Sequence, residues 1–286
     1  MYFSEKPITI FTVPKPFKGH IGIIQQNAIK SWKLLSPRPQ IILFGNEEGI
    51  KEISQELDLI HVPEIKLNKY GTPLLDGIFR QAHELAKGSF LSYVNTDIIL
   101  LNDFYVAIKE LQTTSFDSFV MTGQRTDVNI TKSLNFDLPG WDSELQQFVL
   151  KQGSLASIVC MDYFVFPKHL YAEIPSFAVG RGHWDHWIVY YARQLGIPVV
   201  DATNVVTAIH QNHNYSHLSG GRGVAYVKGE EAQHNAKLAG DVHMANGFVA
   251  TWKLTPWGPK KRNLLSALFS FLVDMPRFAK LIVSLS

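Results

Sequence analysis

Phe90-Leu91-Ser92-Tyr93-Val94-Asn95-Thr96-Asp97-Ile98-Ile99-Leu100-Leu101 is the stretch on which the reading of the fold turns. An apolar run rich in strand-forming residues, Phe90–Val94, meets a polar break at residues 95–97, and the chain is apolar again over 98–101. Immediately upstream, residues 72–87 carry a helical pattern. Leu74, Leu75, Ile78, Phe79, Ala82, Leu85 and Ala86 form its apolar stripe, and Asp76, Arg80, His83 and Lys87 line the other side. Thr72 is placed to cap this helix, Pro73 suits its first position, and Gly88 stands where it should stop.

Further out, residues 8–13 (Ile-Thr-Ile-Phe-Thr-Val) read as a buried strand bounded by Pro14 and Pro16. A helix over 22–35, a strand over Gln40–Phe44, a helix over 49–57 and a short strand over 59–62 follow. This alternation predicts an α/β fold, a three-layer sandwich whose mostly parallel central sheet is flanked by helices. In such sheets ligands bind beyond the carboxyl ends of the strands. Thr12, Gly45 and residues 95–97 all fall there, so one crevice is expected to collect them.

The later sequence is less regular. Strands are expected over 118–122, 157–166, 197–202 and 205–209, and helices over 142–151 and 185–195. Residues 218–223, mostly small or glycine around Arg222, read as a mobile loop. No repeat and no clear linker divides the chain, so residues 1–259 are taken as one domain and 260–286 as a tail.

Composition narrows the function. Charged residues are 18% of the 286 and hydrophobic residues 46%, enough for a sizeable core and too apolar for general disorder. The 27 basic and 25 acidic residues leave a net charge of +2, which argues against a nucleic-acid partner. Cys160 is the lone cysteine, so a disulfide within the chain and a cysteine zinc cluster are excluded, and a reducing, cytoplasmic setting is expected. The first residues lack a signal-peptide pattern, and no apolar run approaches the ~20 residues of a membrane span. Six tryptophans, several beside Gly, His and Asp, suit either a sugar-binding surface or plain core packing.

Four clusters carry possible chemistry. Asn95-Thr96-Asp97 puts a carboxylate at a strand end, where it can hold a hard divalent cation or simply form a turn. Gly180-Arg181-Gly182-His183-Trp184-Asp185-His186-Trp187 enters a helix, and Asp185 suits a general base or a helix cap. His183 and Trp184 stand beside it, where they suit contact with a sugar. His210-Gln211-Asn212-His213 follows an apolar strand; an imidazole here can complete a metal site with Asp97, with a histidine-only zinc site or an idle surface cluster as rivals. Asp76 and Arg80, one helical turn apart, suit either ligand contact or a solvated ion pair.

Taken together these residues resemble the GT-A class of glycosyltransferases, the nucleotide-diphospho-sugar transferase fold, in its bacterial members. The resemblance spans roughly residues 8–215 and rests on the first strand, on Tyr93-Val94-Asn95-Thr96-Asp97 in place of an Asp-x-Asp motif, on the Trp-Asp-His-Trp helix start, and on a late histidine. It implies a nucleotide-diphosphate sugar donor and a Mn²⁺ or Mg²⁺ cofactor held by Asp97 with His210, and His213 as the alternative ligand. It implies donor contacts at Thr12, Asn95 and Thr96, to which Asp76, Arg80 and Arg222 are added as candidates. Asp185 takes the place of the base of inverting members, and Asp162, with His183 and Trp184, is expected at the acceptor. Asn95 departs from the family pattern by replacing an acidic residue with a neutral amide. A sugar-phosphate nucleotidyltransferase and a non-catalytic carbohydrate-binding protein are the alternatives. The acceptor is a saccharide or is lipid-linked. The tail, with Lys260-Lys261-Arg262 before an apolar run, suits peripheral contact with the inner membrane or packing on the domain or a partner chain.

Overall fold

The computed structural model describes residues 7–213, 223–240 and 250–263, and in the C-terminal segment residues 265, 272, 274–279 and 283. Arg222 and most of the glycine-rich loop expected around it lie outside the described residues.

The N-terminal half runs β1 (Thr9–Thr12), α1 (Gly19–Lys33), β2 (Gln40–Phe44), α2 (Ile50–Leu57), β3 (Ile60–Val62), α3 (Leu75–Leu85) and β4 (Phe90–Val94). Then come β5 (Ile98–Ile99), α4 (Asp103–Gln112), β6 (Val120–Thr122), β7 (Thr126–Val128), α5 (Trp141–Gln152), β8 (Ser154–Leu155) and β9 (Tyr163–Pro167). The chain continues with α6 (Trp184–Gln194), β10 (Val199–Asp201), β11 (Ile209–Gln211), a π-helical turn (Val224–Lys228), α7 (Glu230–Ala239), β12 (Trp252–Thr255) and β13 (Gly258–Lys261).

Among the described residues the main sheet has nine strands in the order β13-β12-β10-β6-β9-β4-β1-β2-β3. Five of its pairings are parallel; β9 runs against both β4 and β6, and β13 runs against β12. Alternation along the strands creates two cores. Ile8 and Ile10 of the first strand region face Trp32 of α1, Ile53 of α2 and Phe104 of α4. Phe11, one residue out of phase, faces Ile78 and Phe79 of α3 and Ile188 of α6. Helices therefore cover both faces, which is the expected three-layer α/β sandwich. Each large apolar side chain fully buried here contributes roughly 1.5–3 kcal/mol.

Several local expectations are corrected. Thr72 does not cap α3. Asn68 Oδ1 accepts from its N–H, and residues 73–74 form bridges with Leu67 and Ala178 before the helix begins at Leu75. Gly88 is not a left-handed helix stop. It is a close-approach site, where an added Cβ would lie 2.0 Å from the Pro7 carbonyl oxygen. The strand expected over 157–166 is confined to its second half, because Cys160 N–H turns back to Ser157 O. The strand expected over 205–209 begins only at Ile209, since Val205 and Val206 both donate to Ala202 O in a turn.

A second sheet, β5-β11-β7-β8, was not legible in the sequence. It packs Ile99, Val128 and Ile209 against Leu145 and Val149 of α5. Its strands have two or three residues each, too few for a period to register.

Candidate functional site

The order β3-β2-β1-β4 reverses direction at β1 and β4, so the carboxyl ends of these two neighbours flank a topological switch point. A cleft of about 290 Å³ opens there. Thr12 enters it from β1, Asn95, Thr96 and Asp97 from the end of β4, and Trp184 and Asp185 from the start of α6. Lys15, Arg125, Asp162, Arg181, His210, His213 and Tyr226 complete its polar wall.

Strand register explains how Asp97 meets the histidines. β5 pairs antiparallel with β11, placing Ile98 opposite His210, and β11 pairs parallel with β7, placing His210 opposite Asp127. Gln211 donates to Asp97 O from both its backbone and its side chain, at 3.2 and 3.3 Å. Trp32 Nε1 donates to Ile98 O one residue on, at 2.8 Å. The aspartate backbone is thus tied down on both sides. Its Oδ2 lies 3.0 Å from His213 Nε2 and 3.7 Å from His210 Nε2, and its buried Oδ1 has no hydrogen-bond partner. One ligand atom from each of the three side chains falls within 4.8 Å of the others.

Around this trio runs a network of buried charge. His210 Nδ1 lies 2.9 Å from Asp127 Oδ1. Arg125 donates from Nε to Asp127 at 2.8 Å and from Nη1 to Asp162 at 2.9 Å. Asp162 in turn accepts from Asn95 Nδ2 at 2.6 Å, while its carbonyl accepts from Asn95 N at 2.9 Å. On the opposite wall, Gln25 of α1 clamps the segment after β1. It exchanges hydrogen bonds with the Lys15 backbone at 2.7 and 2.9 Å and accepts from Thr96 Oγ1 at 3.1 Å.

Electrostatics follows from these contacts. Burial alone would raise the Asp97 carboxyl, but the two histidines and Lys15 outweigh it and hold the group well below the usual carboxylate range. Asp127 is lowered in the same way: burial opposes ionisation, and His210 and Arg125 outweigh it. Burial pulls the Lys15 ammonium below the ordinary lysine range, against the attraction of Asp97 and helped by repulsion from Arg181. The cleft lining therefore combines the carboxylates of Asp97, Asp162, Asp185 and Glu47 with the cations of Lys15, Arg125 and Arg181, an arrangement suited to a divalent cation carried with an anionic ligand.

Other expected residues lie elsewhere or play a different part. Asp76 is bound by Lys66 at 2.6 Å and by Ser176 at 2.7 Å, outside the cleft lining; it does not pair with Arg80, which is exposed on the far side of α3. The Leu75 N–H at the head of α3 donates to Phe177 O. His183 holds the N-cap position of α6 with φ 80° and is absent from the cleft lining. Asp185 sits one step inside that helix and its side chain does not cap it; Oδ1 accepts from His186 N at 3.0 Å. Trp184 packs edge-on against Tyr93 and Phe164, so little of it is exposed to the cleft. Trp187 stacks on Tyr191, a core role rather than a sugar platform. Gly45, also expected at the crevice, packs beside Ile50 and Ile65.

Sequence reasoning missed Lys15, Arg125, Asp127, Arg181 and Tyr226. Arg181 is fixed by Glu231 of α7 through two bonds of 2.9 and 2.6 Å. Tyr226 comes from the π-helical turn and its carbonyl crowds Gly182, where a Cβ would lie 3.0 Å away. The local signals available were a Pro-flanked lysine just after the first strand and the arginine of Gly180-Arg181-Gly182, to which no role had been given.

The fold and site define an α/β protein with a charged ligand crevice at a sheet switch point. No protein-family model matches the chain, and no curated protein matches it. Among solved structures it is similar to glucosyl-3-phosphoglycerate synthase from Mycobacterium tuberculosis in complex with Mn²⁺, UDP and glucosyl-3-phosphoglycerate. That match has 13% identity, a TM-score of 0.42, and covers 73% of each chain. It is similar to the mannosyltransferase PcManGT from Pyrobaculum calidifontis in complex with GDP-Man and Mn²⁺, at 12% identity and TM-score 0.41, over 72% of this chain and 57% of that one. Residues 1–349 of S. aureus TarS match at 12% identity and TM-score 0.34, and here the alignment spans 46% of this chain and 38% of the other. Likeness at this level transfers no activity; the case for function rests on the cleft.

Proposed function

We propose that the chain is a metal-dependent glycosyltransferase that moves a sugar from a nucleoside-diphosphate donor to an acceptor hydroxyl. The observation that carries this reading is the Asp97–His210–His213 trio at the switch-point cleft, with Asp97 Oδ1 buried and unpartnered. One carboxylate and two imidazoles fit a divalent cation. The imidazoles favour Mn²⁺ over Mg²⁺, which prefers oxygen ligands. When bound, such a cation neutralises charge on the departing diphosphate.

The protein's own groups account for the rest. Thr12 and its neighbours seat the nucleoside, while Asn95 and Thr96 meet its ribose and phosphates. Lys15 adds positive charge beside Asp97 where the diphosphate is expected. Asp185, at the cleft wall on the first turn of α6, takes the proton of the acceptor hydroxyl. The acceptor oxygen then forms its bond to the anomeric carbon as the bond from that carbon to the diphosphate oxygen breaks. The nucleoside diphosphate leaves with that electron pair, and the anomeric configuration inverts. Asp162, locked between Arg125 and Asn95, borders the acceptor side.

General-base assistance is worth ~10²–10⁴-fold, so Asp185→Asn should lose transfer by that factor while donor affinity survives. Wild-type turnover in this variant would remove Asp185 from the role. For the activity itself, release of nucleoside diphosphate from a panel of nucleotide sugars with Mn²⁺ is expected, and it should cease with EDTA. Pyrophosphate release from a nucleoside triphosphate and a sugar phosphate would point instead to a nucleotidyltransferase. Saccharide binding with no donor consumption would point to a carbohydrate-binding protein.

A further inference from the structure

The cleft shares its edge of the sheet with a second feature. β9 runs against β4, with Tyr163 opposite Val94, and β6 runs against β9. β10 is parallel to β6 and β12 is parallel to β10. The carboxyl end of β12 therefore lies on the same edge as the carboxyl ends of β1 and β4. At the usual strand spacing it is ~20 Å from β4. The turn from β12 to β13 projects Trp257 there, 92% exposed.

Two more observations concern this hairpin and the same edge of the sheet. Lys260 of β13 stands directly opposite Lys253 of β12, two residues back from the turn, and Lys261 follows it opposite Trp252, with its side chain on the other face of the hairpin. Like charges placed opposite each other on a strand pair are unfavourable. Among the described residues none of the three lysines has an ion-pair partner. The C-terminal segment also reaches this edge. Asp274 is buried and accepts from Ser157 Oγ at 2.7 Å and Ile158 N at 3.2 Å, in the loop that leads through Asp162 into β9. Leu272 and Met275, on either side of that anchor, are exposed.

An exposed indole, unneutralised lysines and exposed aliphatic side chains match the interface of an anionic bilayer, where indole rings sit at headgroup depth and lysines meet acidic lipids. No helix among the described residues is long and apolar enough to cross a membrane. We propose that this cleft-side rim docks on an anionic lipid surface and that the sugar acceptor is lipid-linked. The acceptor class rests on the glycosyltransferase reading; the docking surface does not. With the rim on the bilayer, the cleft opens towards the headgroups on which such an acceptor is carried.

The test is co-sedimentation with vesicles of phosphatidylcholine alone and of phosphatidylcholine mixed with phosphatidylglycerol, at low and high salt. The protein should pellet with the mixed vesicles, and salt should release it. Lys260→Glu with Lys261→Glu should weaken that binding by at least about tenfold, and Trp257→Ala should weaken it as well. These positions are exposed, so the fold should be unaffected. If wild type ignores anionic vesicles, or if both variants bind as wild type does, the docking surface is wrong and the lysines only guard a sheet edge from pairing. Mn²⁺-dependent binding of UDP and GDP, measured without lipid on the same samples, should be equal in all three proteins. Its absence from wild type while vesicle binding persists would overturn the transferase reading and the lipid-linked acceptor, and would leave the docking surface standing.

Discussion

A carboxylate as buried as Asp97 would ordinarily favour its protonated form; two histidines and a lysine reverse that preference. A carboxylate oxygen of Asp97 and one nitrogen from each imidazole then lie within 4.8 Å of one another, and Asp97 Oδ1 has no hydrogen-bond partner. The orientation of His210 depends on a residue outside the trio. Asp127 Oδ1 lies 2.9 Å from its Nδ1 and is itself bound by Arg125, while the ring's Nε2 lies 3.7 Å from Asp97. Losing such a supporting carboxylate typically costs 10–100-fold in metal affinity. Asp127→Asn should therefore weaken Mn²⁺ binding by about that factor, measured by calorimetry, with the far-ultraviolet circular dichroism unchanged. Equal affinity in the variant would show that Asp127 has no hold on the site. The trio itself was legible, because a carboxylate at a strand end and histidines near a late strand are local signals. Arg125 and Asp127 were not. They lie in Gln124-Arg125-Thr126-Asp127, which resembles any polar connection until pairing with residues 208–211 gives it a partner.

At the level of elements, the first seven were legible because all but the three-residue β3 are long enough to show a period and each has glycine or proline close to one end. Their ends were less so. Thr72-Pro73 has the residues of a helix start, but bridges to Leu67 and Ala178 hold it extended and move the start to Leu75. Gly88 has the residue type of a helix stop, but its work is steric: the chain entering β1 passes too close for a side chain. Gly88→Ala must shift either that chain or the end of α3. Overpacking of this kind costs about 1–3 kcal/mol, and urea unfolding should show a loss in that range. A variant as stable as wild type would mean that the segment before β1 moves freely aside. The helix start at Asp185 was read correctly as a place but not as a cap, because His183 takes the N-cap position and frees the aspartate to line the cleft.

The whole molecule places its chemistry by topology. Reversal of strand order between β1 and β4 opens the crevice, and the small second sheet carries His210 and Asp127 to its rim. Alternation in the first part of the chain was sufficient to expect the three layers and the crevice. It was insufficient to expect the second sheet, in which β11 pairs with β5 and β7 across more than eighty residues of chain and α5 packs upon the result. Arg222 is outside the described residues, while Asp76 is buried in the Lys66–Ser176 cluster and Arg80 is exposed on α3. The account as a whole stands on one coupling, that between a divalent cation and a nucleoside diphosphate in the Asp97 cleft. Titration calorimetry of UDP and GDP, with and without Mn²⁺, on wild type and Asp97→Ala measures it most directly. The expected result is tight binding of at least one of them that needs Mn²⁺ in wild type and is lost in the variant. Binding that is indifferent to Mn²⁺, or equally strong in Asp97→Ala, would contradict it.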